Sequence, residues 1–211
     1  VSLRDALGEL RGEVAERARE AGTFRAILEA EPGRQATRVD VCFDVLGAAP
    51  AAGEVIHAVS IGEFSAIHVI GWAVDALGPP AEVYCSTWAV SAHSAKALGA
   101  GLDAGLLSKV RCVIDPRGSF VSQAGWPILR DVLGKGQYAR AATHAKAYAI
   151  TGARGSLSVV TSANLNGNPR IEQYTITGGR EAFDYHRGWI EGIIDRTDPF
   201  EAGEKQWDFH K

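Results

Sequence analysis

Cysteine is scarce in this chain, and the few present do not group. Three residues (Cys42, Cys85 and Cys112) stand 43 and 27 positions apart among apolar or β-branched neighbours. An odd count in no CxxC or CxH pattern excludes a disulfide framework and a zinc site of ordinary spacing, so buried, reduced thiols are expected. Also missing is any apolar run near the roughly 18–20 residues needed to span a bilayer. The opening Val1-Ser2-Leu3-Arg4-Asp5 lacks the basic-then-apolar layout of an export signal. A cytoplasmic protein without membrane insertion is therefore expected. A basic excess is absent too: 22 Lys and Arg against 25 Asp and Glu leave a net charge of −3. A generally cationic nucleic-acid binder is excluded, and any polyanion must be met by a local patch. With 46% hydrophobic residues over 211 positions, the chain can bury about 70% of its surface, ample for a core without metals or staples.

Texture divides the chain into a helical extension and linker over 1–50, an α/β domain over 51–198 and a tail over 199–211. Leu3, Leu7, Leu10 and Val14 make a narrow apolar stripe on an amphipathic helix, suited to packing on its own domain or on a partner's helix. A second short helix is expected after Gly22, and Glu31-Pro32-Gly33 breaks the chain. Strand and helix patterns then alternate: strands at 55–61, 83–88 and 110–115, helices at 64–77, 91–107 and 127–133. This repeat predicts a mixed, mostly parallel sheet flanked by helices. Three closely spaced strands follow at 144–150, 157–162 and 171–177, then a closing helix over 180–194.

The chemistry concentrates in Thr143-His144-Ala145-Lys146 and in Thr161-Ser162-Ala163-Asn164. Residues i and i+2 of a strand share a face, so His144 and Lys146 project together, as do Ser162 and Asn164. Neighbouring strands would gather one imidazole, one cation, one hydroxyl and one carboxamide. That set suits a phosphodiester. The cation and neutral donors meet phosphoryl oxygens, and imidazole is largely neutral and nucleophilic near pH 7. Glu172 is the candidate acceptor to hold the imidazole N–H.

His144-x-Lys146, then Thr161-Ser162-Ala163-Asn164 and Glu172, resembles the phospholipase D superfamily, whose signature reads HxK, four residues, Asp, then GSxN. Thr151 stands where that Asp belongs, and Thr161 replaces the first Gly. The resemblance implies an α/β phosphodiesterase needing neither metal nor cofactor, with His144, Lys146, Ser162, Asn164 and Glu172 catalytic. A single motif copy further implies a homodimer that builds one active site from two histidines. Five cations (Arg130, Lys135, Arg140, Lys146, Arg154) against Asp131 make a local basic run, with Arg170 nearby. This favours a nucleic-acid backbone as substrate, bound through Arg140, Arg154 and Arg170. Trp88, Tyr138 and Tyr148 are candidates for stacking on bases, or for the core. An inactive, phosphate-binding member is the alternative that Thr151 raises. His57, His68 and His93 are expected to be structural, and His186 to lie on the exposed side of the last helix.

Overall fold

Three helices open the fold: α1 (Leu3–Ala21), α2 (Arg25–Glu29) and α3 (Arg34–Leu46). The computed structural model describes residues 3–30, 34–117, 124–134, 136–167 and 170–197, so the expected tail lies outside the described residues. Gly22 ends α1 with a φ of +68°, and its N–H caps the Ala18 carbonyl at 2.9 Å. The α1 face presents Ala15 and Ala18 inward, and Arg19 reaches the Asp103 carbonyl at 2.8 Å. The described part of α1 thus packs on its own chain. α3 occupies what the sequence suggests is linker; Val39, Cys42 and Leu46, at helical spacing, enter the main core.

Among the described residues the sheet has seven strands: β1 (Val55–Ser60), β2 (Ala81–Thr87), β3 (Leu107–Ile114), β4 (Tyr138–Arg140), β5 (Ala147–Gly152), β6 (Gly155–Thr161) and β7 (Glu172–Gly178). Their order is β1-β7-β6-β5-β2-β3-β4. The α/β class and mixed sheet are as expected, but "mostly parallel" is not. Only β2–β3 and β3–β4 are parallel; the other four pairings are antiparallel. The reason lies in β1. The helix after it carries the chain past three strand positions, so β1 meets β7 at the far edge instead of β2. Between β5 and β6 only Ala153 and Arg154 intervene, which permits a hairpin and nothing else.

Helices α4 (Ala66–Leu77), α5 (Ala92–Asp103) and α6 (Trp126–Leu133) share one face of the sheet with α1–α3. α7 (Arg180–Arg196) covers the other face through Phe183, Ile190 and Ile194 against Tyr84, Val113 and Ala149. Cys42, Cys85 and Cys112 are buried and free, and burial pushes the Cys42 thiol upward. Among the described residues no helix is long and apolar enough to cross a membrane.

Candidate active site

Register brings the sequence-flagged residues to one edge of the sheet. Ser86 is opposite Ala147, Ala147 opposite Val160, Thr161 opposite Tyr174 and Ser60 opposite Glu172. The ends of β1, β2 and β6 therefore align with the starts of β5 and β7, and Ile114 beside Arg140 continues the edge across β3 and β4. In doubly wound sheets this is the edge where ligands bind.

β5 starts three residues later than His144, which correspondingly sits in the irregular stretch 141–146. Side chains take the place of a ladder there. Asp115 accepts the Thr143 N–H at 2.8 Å, and the Ser86 hydroxyl donates to the Ala145 carbonyl at 3.0 Å. The Lys146 carbonyl then accepts from Thr161 N–H at 3.1 Å, entering the β5–β6 pairing. His144 is thus an exposed bridge between two fixed points. Its alternation with Lys146 survives the loss of strand: Lys146 Nζ lies 3.2 Å from His144 Nε2 and donates to the His144 carbonyl at 2.9 Å. A charged ammonium only donates, so Nε2 accepts and the ring proton resides on Nδ1. Lys146 is 8% exposed. Burial lowers its pKa, and the nearby Glu172 carboxylate opposes that shift.

On the neighbouring turn, the Ser162 hydroxyl donates to Glu172 and accepts from Gln173 N–H at 3.1 Å. This corrects the expected role of Glu172: the carboxylate holds Ser162, and the imidazole contacts Lys146 instead. Asn164 Oδ1 accepts the Trp88 N–H at 3.2 Å, which leaves its NH2 as the donor available to a ligand. Tyr148 supports the turn from beneath, donating to the Ala163 carbonyl at 2.9 Å. It is fully buried, so it stacks on no base.

The cation cluster implied by the sequence disperses in space. Arg154 belongs to the β5–β6 turn, where it donates to the Ala76 carbonyl at 3.1 Å and caps α4. The length of β5, Ala147–Gly152, about 16 Å, separates this end of the hairpin from the site edge. Arg154 is therefore no part of the site. Thr151 shares that remote end, bonding the Gly155 carbonyl and the Ser156 hydroxyl (3.2 and 2.7 Å). Arg130 pairs with Asp131 on α6, and Lys135 lies outside the described residues. Arg140 is on the site edge, donating to the Pro116 carbonyl at 3.0 Å, and Arg170 is exposed just before β7.

Sequence reasoning missed the supports: Ser86, Thr143 and Asp115. Burial works to raise the Asp115 carboxyl, but its bonds from Arg117 and the N–H groups of Arg117 and Thr143 prevail and hold it below the usual range. Its position at a strand end before Pro116 is the signal that was available. Of the other histidines, His68 is buried at the start of α4 and His57 is exposed on β1. His186 is half-buried against Trp189, not on the open side of α7. Among the described residues, no three His, Cys, Asp or Glu side chains gather as metal ligands.

No family model matches the chain, and no curated protein matches it in sequence. Several solved structures are similar in fold, two of them as follows. Nuc, a phospholipase D family member from Salmonella typhimurium, is 16% identical over 68% of this chain and 93% of its own, with a TM-score of 0.45. A polyphosphate kinase from Porphyromonas gingivalis is 14% identical, also at 0.45. That match covers 69% of this chain but only 27% of the kinase.

Proposed function

We propose that this protein is a metal-independent phosphodiesterase that cleaves a nucleic-acid backbone through a phosphohistidine, at a site completed by a second copy of the chain. The observation that carries the proposal is the contact of exposed His144 Nε2 with Lys146 Nζ, 3.2 Å apart on a ligand-facing sheet edge. A phosphate oxygen would draw the ammonium to itself and free the Nε2 lone pair. Nε2 then attacks phosphorus, forming a P–N bond as the P–O bond to the leaving alkoxide breaks. That alkoxide needs a proton, and a single motif copy per chain carries one histidine for the two roles. The partner's His144, as imidazolium, supplies it, worth about 10²–10⁴-fold. The same ring, now neutral, takes a proton from water as it cleaves the P–N bond. Lys146 and the Asn164 NH2 would stabilise the equatorial oxygens. Ser162, committed to Glu172, can turn its hydroxyl proton toward phosphate once the pair loosens.

The position of Thr151 supports the active reading over a purely phosphate-binding one. The residue bonds Gly155 and Ser156 within its own hairpin, at the end of β5 away from His144.

The test is hydrolysis of bis(p-nitrophenyl) phosphate in excess EDTA. The wild type turns over, His144→Ala falls to background, and quenching in base traps a phosphorylated protein. Lys146→Ala loses about 10²-fold or more. Light scattering at micromolar concentration gives twice the chain mass. Abolition of wild-type turnover by EDTA, full activity in His144→Ala, or a monomer that turns over would each sink the mechanism.

A further inference from the structure

Large apolar side chains at high exposure are few among the described residues, and four of them gather at one corner of the site edge. They are Ile61 at 66%, Ile171 at 74%, Val59 at 59% and Val160 at 47%. Register explains the gathering. Ser60 opposite Glu172 is the last pair of the β1–β7 ladder, so Ile61 and Ile171 are the next residue of each chain segment, beside the carboxylate that holds Ser162. Val59 pairs with Gln173, and Val160 with Thr175, two residues further along β7. Positions 173 and 175 share one face of the sheet, so the two valines share it as well. It is also the face of Ala147, opposite Val160, and of Ala149, on which α7 packs. α7 leaves both valines open to solvent.

Apolar residues scattered singly over a surface need no explanation, but a contiguous patch beside a site does. The occupant follows from what the site lacks. Attack by one imidazole and protonation of the leaving oxygen by another put the first nitrogen about 3–3.5 Å from phosphorus and the second about 3 Å from that oxygen. The two rings then stand about 7 Å apart with the phosphate between them, and a two-fold axis passes within about 4 Å of each.

This excludes the free edge of β1 as the meeting surface. β1 is three strand spacings, about 14 Å, from β5, so pairing β1 with its own copy would hold the rings about 30 Å apart. An axis running along the site edge instead keeps β6, β7 and β1 beside it as well as His144. Residues next to a two-fold axis meet their own copies, which suits an apolar patch because it carries no charge to oppose itself. Ile171 and Ile61 would meet theirs about 10 and 14 Å from the histidines. Exposed Glu63 and Arg170 flank the isoleucines with one charge of each sign, so each can face the other on the partner.

We infer that the corner of Ile61, Ile171, Val59 and Val160 seats a second copy of this chain about a two-fold axis along the site edge, which brings the partner's His144 to the phosphate. The inference rests on the phosphodiesterase reading of the site, and adds to it the surface on which the two copies meet. Its test uses the full chain and measures mass by sedimentation over a dilution series at low ionic strength. The wild type is a dimer. Ile171→Asp and Ile171→Lys, each facing its own charge across the axis, raise the dissociation constant about 30-fold or more. An equimolar mixture of the two returns to within about threefold of the wild type, because opposite charges then meet, and this recovery also shows that both variants fold. Val45→Asp, the same charge on an exposed residue of α3, leaves the dimer intact. A monomeric wild type, a dimer indifferent to both Ile171 substitutions, a mixture that stays monomeric, or dissociation by Val45→Asp overturns the interface. Small-diester turnover is scored on the same samples. A dimer that depends on Ile171 but turns nothing over removes the hydrolase alone, and turnover by a dimer indifferent to Ile171 removes the interface alone.

Discussion

Asp115 is a buried carboxylate whose work is done through a neighbour. It receives the Thr143 N–H at 2.8 Å and the Arg117 N–H at 2.7 Å, and its side chain is fully enclosed. Asp115→Asn keeps the shape but weakens charge-assisted bonds and places an NH2 where acceptors are needed, at a cost of about 1–3 kcal/mol in folding stability. Because Thr143 precedes His144, turnover of the small diester should fall further than stability alone explains, with kcat more affected than KM. The pH effect has a definite sign. A carboxyl held below its ordinary value of about 3.9 stabilises the fold above that pH, and the contribution fades as acid protonates it. Urea midpoints at pH 7 and pH 3 should therefore differ more in the wild type than in Asp115→Asn. At this scale the sequence was informative about chemistry and silent about support. His144, Lys146, Ser162 and Asn164 stand out by type and spacing, whereas Ser86 and Asp115 matter only because register brings β2 and β3 beside the 141–146 stretch. Glu172 shows the same limit: its proximity to the site was legible, and its choice of Ser162 over the imidazole was not.

Elements were legible where their period was clean and nothing distant intervened. The α4 helix is an example, and its start carries a pH-sensitive device. Ser65 and His68 form a reciprocal cap, with Ser65 N–H donating to His68 Nδ1 at 3.1 Å and the Ser65 hydroxyl 2.9 Å from the same nitrogen. Burial, helped by His93 and Arg38, lowers the His68 pKa to about 4. The unfolded chain takes up this proton near pH 6.5 and the folded one only near pH 4, so stability is whole above about 6.5 and declines as pH falls between these values. The loss reaches up to about 3 kcal/mol. His68→Gln retains an acceptor for the cap and does not titrate. Its melting temperature should stay nearly level from pH 6.5 to 4.5, while that of the wild type drops by several degrees; parallel curves would show that His68 is not the group responsible. Short or tertiary-dependent elements were harder. β4 is three residues held by β3 alone, and α3 looks like linker until Val39, Cys42 and Leu46 are seen in the core. Strand direction was hardest. Alternating strand and helix patterns imply crossovers but do not say which neighbour a strand joins, and β1 joins the last strand of the sheet.

For the whole molecule, the question is whether the first helices are an appendage or part of the folding unit. Phe24 and Leu28 are fully buried, and both point at Gly71 in the middle of α4. A Cβ built on Gly71 would lie 2.6 Å from Leu28 Cδ1 and 3.0 Å from Phe24 Cδ1, so α2 and α4 touch at a position that only hydrogen fits. Asp75 of α4 accepts the N–H groups of Phe24 and Arg25 at 2.6 and 2.9 Å, locking the start of α2 on the same helix. These contacts are shared with α5, since Gly101 brings its own backbone against Phe24 and Leu107. Removing residues 1–31 would therefore uncover the core face of α4, and with it the α4–β5 packing that supports the strand after His144. A double-mutant cycle reads this directly. Leu28→Ala should cost about 2–5 kcal/mol, and Gly71→Ala about 1–3 by overpacking. In the Leu28→Ala background the added methyl has room, so the pair should cost less than the sum by about 0.5–3 kcal/mol. One cooperative urea transition should persist in all four proteins, monitored by far-UV signal and by the fluorescence of Trp72, which is buried in α4 with its indole N–H on the Gly47 carbonyl. An additive cycle would place Leu28 and Gly71 out of contact, and a separate early transition on loss of Leu28 would make the first helices a module that folds apart from the sheet.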